Sequence, residues 1–88
     1  MEDILFNEVW NRIIQNEGAT FRTKTGKEFL YNIIGEGLMT TRTDYRLSRT
    51  DFEKAYKMMP IDGPGVIRDL VRGSAYIWAI LNDERIIS

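Results

Sequence analysis

The chain reads as a single α+β domain: an N-terminal helix, a three-stranded antiparallel meander, then two to three helices packed on one sheet face. Three observations predict this. An apolar stripe of helical period fills residues 4–16, β-rich stretches separated by glycine turns follow, and a helix-capping sequence then opens a second helical half. With 88 residues the chain has room for one core, so residues 1–88 form one domain.

Phe6, Val9, Trp10, Ile13 and Ile14 recur at spacings of three, four and seven, which defines the buried face of the first helix. Asp3 suits its N-cap and Gly18 its stop. Ala19 to Thr23 and Lys27 to Ile34 are rich in Thr, aromatic and β-branched residues, and Lys24-Thr25-Gly26 lies between them as a turn, so they pair as a hairpin. Gly35-Glu36-Gly37 supplies a second tight turn, and Leu38 to Thr43 returns as the third strand.

Ser48-Arg49-Thr50-Asp51 then fits a capping box, with Leu47 and Phe52 as its hydrophobic staple. The helix it opens runs over 49–59, turns Phe52, Ala55, Tyr56 and Met59 one way, places Glu53 and Lys57 as an outer i,i+4 pair, and ends at Pro60. Asp62-Gly63-Pro64 introduces a short helix over 65–72 with Val66, Ile67, Leu70 and Val71 inward. Ser74 caps a last segment, Ala75 to Leu81, apolar on every side and ended by Asn82: a buried helix, with a buried strand as the competing assignment. Ile86 and Ile87 in the tail tack it onto the sheet edge or a partner.

With no cysteine and no histidine, the chain has no disulfides, thiol nucleophiles, Cys/His zinc sites or Ser-His-Asp machinery. The acidic start lacks the pattern of a signal peptide, and the longest apolar run, Ala75 to Leu81, is far short of the ~20 residues of a membrane span, so no membrane partner and a cytoplasmic location are expected. Gly35-x-Gly37 lacks the third glycine of a dinucleotide loop, where Thr40 stands, and Gly26-Lys27 is followed by Glu28 where a phosphate loop needs Ser or Thr. No carboxylate spacing points to a metal or an acid–base pair. No enzyme activity, cofactor or metal is therefore expected.

The net charge of −1 hides an uneven distribution. Residues 1–21 carry one base against four acids, residues 22–49 six bases against three acids, and residues 50–88 five bases against six acids. The middle segment interleaves cations with hydroxyls: Arg22, Lys24, Lys27, Arg42, Arg46 and Arg49 among Thr25, Thr40, Thr41, Thr43 and Thr50, a combination suited to phosphate oxygens. Arg49 and Thr50 also open the capped helix, whose first N–H groups favour an anion, and Tyr45 supplies a ring to stack a base. The six cations are the candidate nucleic-acid contacts. A solvated hairpin face is the plainer reading of the same charges. Trp10, Tyr76, Trp78, Met58 and Met59 read as core, with a self-association surface as the alternative.

The blocks Phe21-Arg22-Thr23-Lys24-Thr25-Gly26-Lys27-Glu28-Phe29, Leu47-Ser48-Arg49-Thr50-Asp51-Phe52-Glu53-Lys54-Ala55 and Arg72-Gly73-Ser74-Ala75-Tyr76-Ile77-Trp78-Ala79-Ile80-Leu81 are distinctive in their order. In this the chain resembles small uncharacterised bacterial domains, over about residues 20–86, with similar blocks in stand-alone proteins and beside restriction-type or phage-borne nucleases. The resemblance assigns no active residues; through those neighbours it implies a nucleic-acid setting. The expected function is a non-enzymatic module contacting nucleic-acid backbone. The alternative is a protein-interaction or homo-oligomerising module with an apolar surface at Tyr76, Trp78, Ile86 or Ile87.

Overall fold

In the computed structural model, which describes residues 5–87, the first helix α1 spans Phe6–Gln15 and buries Val9, Trp10 and Ile13. Asp3 lies outside the described residues; Leu5, in extended backbone, precedes the first turn. Ile14 was expected inward but is 41% exposed, because the stripe centres on Val9 and Ile13 and a residue 100° further round falls on its flank. After the helix, the Gly18 N–H donates to Tyr31 O at 3.0 Å and the Tyr31 hydroxyl donates to Ile13 O at 2.6 Å, fixing the end of α1 against the sheet.

Five short strands follow: β1 (Phe21–Arg22), β2 (Glu28–Phe29), β3 (Tyr31–Ile33), β4 (Gly37–Thr40) and β5 (Leu47–Ser48). The three-stranded antiparallel sheet is β3-β4-β5, while β1 and β2 form a separate two-stranded hairpin. This differs in membership from the expected meander. The stretch expected as one strand over 27–34 changes partner at Leu30: residues before it pair with β1 and residues after it with β4. At the break, Leu30 N donates to Thr41 Oγ1 and Leu30 O accepts from Thr41 N. The next strand ends at Thr40 rather than Thr43, because hydroxyls compete with the ladder: Thr40 N donates to Thr43 Oγ1 at 3.1 Å and Arg42 N to Thr40 Oγ1 at 3.1 Å. Leu47 and Ser48, expected only as staple and cap, also supply the third strand, with Leu38 opposite Leu47.

Helix α2 spans Arg49–Tyr56, and the Ser48 hydroxyl accepts the Asp51 N–H at 3.1 Å, as the capping sequence predicts. Phe52 and Ala55 are fully buried, Tyr56 and Met59 half-buried. The helix stops three residues short of Met59, since a residue before proline avoids the helical region. Lys57 ends it, and no ion pair joins Lys57 to Glu53. Met58, expected as core, lies beyond the helix and is 48% exposed.

Residues 65–72 form less helix than expected, a single 3-10 turn at Pro64–Ile67 followed by turns. A tight turn presents a narrower face, so Ile67 and Val71 point inward while Val66 and Leu70 are exposed. Helix α3 (Ser74–Leu81) buries Ile77, Ala79, Ile80 and Leu81, which settles the helix-or-strand alternative, and Asn82 ends it as expected. Its N-cap is not Ser74 but Gly73, in left-handed backbone at φ 72° with no side-chain cap. The tail forms a further helix, α4 (Glu84–Ile87), that packs on α1 rather than on a sheet edge. Ile86 is fully buried, and Arg12 Nη1 donates to its carbonyl at 3.0 Å.

All these elements share one core of Val9, Trp10, Ile13, Phe21, Phe29, Tyr31, Leu38, Leu47, Phe52, Ile67, Ile77, Ile80, Leu81 and Ile86. The helices lie on the sheet face that carries Leu38; Asn32 and Gly37, of opposite alternation, belong to the other face. Each large apolar side chain there stabilises by ~1.5–3 kcal/mol. The accessible surface of 5444 Å² is that of an ordinary small domain of this mass. Among the described residues, no helix is long and apolar enough to cross a membrane.

Candidate nucleic-acid interface

The six candidate cations do not form one patch. At the β1–β2 hairpin, the register puts Arg22 opposite Glu28, and Arg22 Nη2 reaches Glu28 Oε2 at 2.7 Å. Arg42 arrives from the turn after β4 and donates through Nε to Glu28 O at 2.8 Å. Arg22 and Arg42 thus meet at one residue, the first on its carboxylate and the second on its carbonyl. Lys27 is exposed beside Glu28 at the hairpin end, where its backbone N–H donates to Thr23 Oγ1 at 3.1 Å.

Next to this pair lies an open cleft of about 210 Å³ lined by Thr20, Glu28, Phe29, Leu30 and Thr41, at the point where the strand changes partner. Arg85 Nη2 donates to the carbonyl of Thr20, one of the lining residues, at 2.8 Å. The Thr41 hydroxyl accepts from Leu30 N, so its proton is directed away from that bond. Arg85 also grips Asp83 through both carboxylate oxygens at 2.9 Å. That hydrogen bonding holds the Asp83 carboxyl below the usual carboxylate range and raises the Arg85 guanidinium. Arg85 was not among the sequence candidates. Its only local signal is Asp83-x-Arg85 at a helix start, and its contact with Thr20 spans 65 residues.

The remaining candidates lie elsewhere. Lys24 turns to the loop after α2, donating to Asp62 O at 2.8 Å with its ammonium 5.9 Å from the Trp78 ring. Arg46 lies over the outer sheet face at the β3–β4 turn, in the space a side chain on Gly37 would fill: a Cβ there would meet Arg46 Cγ and Cδ at 3.1 Å. Arg49 is tied into the fold, donating to Asn7 Oδ1 at 2.6 Å, with its Nε 3.9 Å from Glu36 and its guanidinium 5.2 Å from the Phe6 ring.

The anion site expected at the start of α2 is already occupied by the chain itself. Arg49 N donates to Glu36 O at 2.8 Å, Asp51 N to Ser48 Oγ, and Asp51 and Glu36 add negative charge there. Tyr45 carries Arg72 on its ring at 3.7 Å. Of the residues named for an apolar surface, Ile86 is buried, and Tyr76 and Trp78 are half-buried, Tyr76 edge-on to Phe29 at 5.2 Å and Trp78 donating to Ile61 O at 3.2 Å.

Among the described residues Arg22 and Arg49 have carboxylate partners, whereas Lys27, Arg42 and Arg46 have none. Lys24 has none either, but its ammonium is taken up by the Asp62 carbonyl. Among the described residues no three His, Cys, Asp or Glu side chains gather as a metal site. Comparison with family models, curated proteins and solved structures gives no match.

Proposed function

We propose that the chain is a non-enzymatic, cytoplasmic module that contacts nucleic-acid backbone through Lys27 and Arg42, with Arg22 beside them, and through Arg46 on the outer sheet face. One observation carries this reading. Arg42 is held in place by a neutral carbonyl, that of Glu28, which uses its Nε and leaves both terminal nitrogens and the full positive charge, and Glu28 itself lines the cleft with Thr20 and Thr41. A guanidinium that is oriented but not neutralised is suited to the bidentate geometry of a phosphate. Glu28 limits the local positive field and the whole chain is weakly acidic, so the affinity belongs to the non-specific range, ~10⁻⁴ to 10⁻⁶ M at physiological salt.

The test is fluorescence anisotropy with labelled DNA and RNA at low and at near-physiological salt. Saturable binding that weakens with salt and is strongly weakened in the Arg42→Ala/Arg46→Ala variant supports the reading. Undiminished binding in that variant removes these residues from the site. No binding at low salt removes the nucleic-acid reading and leaves the interaction module.

A further inference from the structure

The aromatic side chains constrain what kind of nucleic acid this surface suits. All ten of them lie within the described residues, and none is exposed. Where a ring nears the surface, a cation or another ring covers it. Arg72 lies 3.7 Å from the Tyr45 centroid, Arg85 4.0 Å from Phe21, Arg49 5.2 Å from Phe6 and Lys24 5.9 Å from Trp78. Tyr56 meets Phe6 at 5.8 Å and Tyr76 meets Phe29 at 5.2 Å. Binding of single strands draws ~1–3 kcal/mol per base from stacking on open aromatic faces. Here those faces are covered by Lys24, Arg49, Arg72 and Arg85 or by a neighbouring ring.

Of the proposed contacts Arg42 is restrained, by its hydrogen bond to Glu28 O, and beside it Arg22 is held by the Glu28 carboxylate. An arginine that reads a base must extend its fork into a groove, whereas an anchored one meets phosphates at the surface. Arg46 sits over Gly37 at one end of β4, and Arg42 follows Thr40 at the other end, its backbone N–H donating to Thr40 Oγ1 and its guanidinium turned to Glu28 O.

Resting on the nucleic-acid reading above, we infer that the partner is double-stranded and is held by its backbone alone, without base readout. The experiment is competition at low salt against a labelled mixed-sequence duplex, using the same unlabelled duplex, a duplex of permuted sequence and the isolated single strand, at equal phosphate concentration. The two duplexes are expected to compete equally, and the single strand several-fold more weakly, since its lower charge density gains less from counterion release per phosphate neutralised. A single strand that competes as well as the duplex overturns the inference and leaves nucleic-acid binding standing. So does a roughly fivefold or greater preference for one duplex sequence, the least by which a bidentate base contact discriminates. Failure of the labelled duplex to bind while the labelled single strand binds overturns the inference alone, and failure of both overturns both readings.

Discussion

Replacing Gly73 by alanine tests how tightly α3 is seated on the sheet. Gly73 stands at φ +72°, and an added Cβ would lie 2.5 Å from Leu47 Cδ2 and 3.4 Å from both Leu47 Cδ1 and the Tyr45 hydroxyl. Leu47 is fully buried and forms part of β5, so it has little room to withdraw. The left-handed backbone costs an L-residue ~1–2 kcal/mol. Overpacking against a fixed core side chain costs a further ~1–3 kcal/mol, while the stiffer unfolded chain returns ~0.4–1 kcal/mol. The net loss is about 2–4 kcal/mol, a fall in Tm of very roughly 10–25 °C for a domain of this size.

Gly26→Ala is the control, because Gly26 has φ +91° with nothing within 4 Å of its added Cβ, so only the backbone term of about 1 kcal/mol acts. Urea unfolding followed by tryptophan fluorescence measures both. Trimming Leu47 to alanine in the Gly73→Ala background should restore part of the difference, appearing as a coupling of ~1 kcal/mol or more in the double-mutant cycle. Equal losses at Gly26 and Gly73, or no coupling with Leu47, would refute the packing argument.

Two further outcomes are expected. Tyr31→Phe removes the buried hydroxyl bond to Ile13 O and lowers stability by about 1 kcal/mol. Burial pushes the Tyr31 hydroxyl well above its ordinary value, so above pH ~10 the unfolded chain holds fewer protons than the native one and stability falls with pH; urea melts across that range should show a shallower fall in the variant. Asp83→Asn removes the charge of the Arg85 clamp. The Asp83 carboxyl is depressed in the fold, so its contribution is present above the unfolded value of ~3.9 and disappears as pH falls below it. Because Arg85 is substantially exposed, the loss at neutral pH is at most ~1 kcal/mol, and acid titration of the variant should lack that share of the low-pH decline.

How far the fold was legible depends on the range of the interactions involved. The α2 cap needs only Ser48 and Asp51, and the α1 face only a repeating stripe, so both were readable. The change of partner at Leu30 was not, because Thr41 and not a neighbour in sequence takes up its N–H and carbonyl. Gly73 stands as N-cap in place of Ser74, in left-handed backbone where Leu47, from a distant strand, leaves no room for a side chain.

In the candidate site the charge imbalance was legible but its neutralisation was only partly so. The Arg22–Glu28 pair follows from the hairpin register, which the Lys24-Thr25-Gly26 turn sets locally. The pairing of Arg49 with Glu36 and Asn7, and the arrival of Arg85 at Thr20, depend on how helices close over the sheet. No local pattern distinguishes an arginine spent on the fold from one left at the surface.

The most direct test of the nucleic-acid reading is the salt dependence of duplex binding. If Lys27, Arg42 and Arg46 each neutralise one phosphate, log K should fall against log salt with a slope of about −2.7, a loss of roughly 40-fold between 50 and 200 mM. The Arg42→Gln/Arg46→Gln variant should retain a slope of about −0.9, losing only some three- to fourfold over the same range. A slope near zero in the unaltered protein, or one unchanged by the double replacement, would contradict the account.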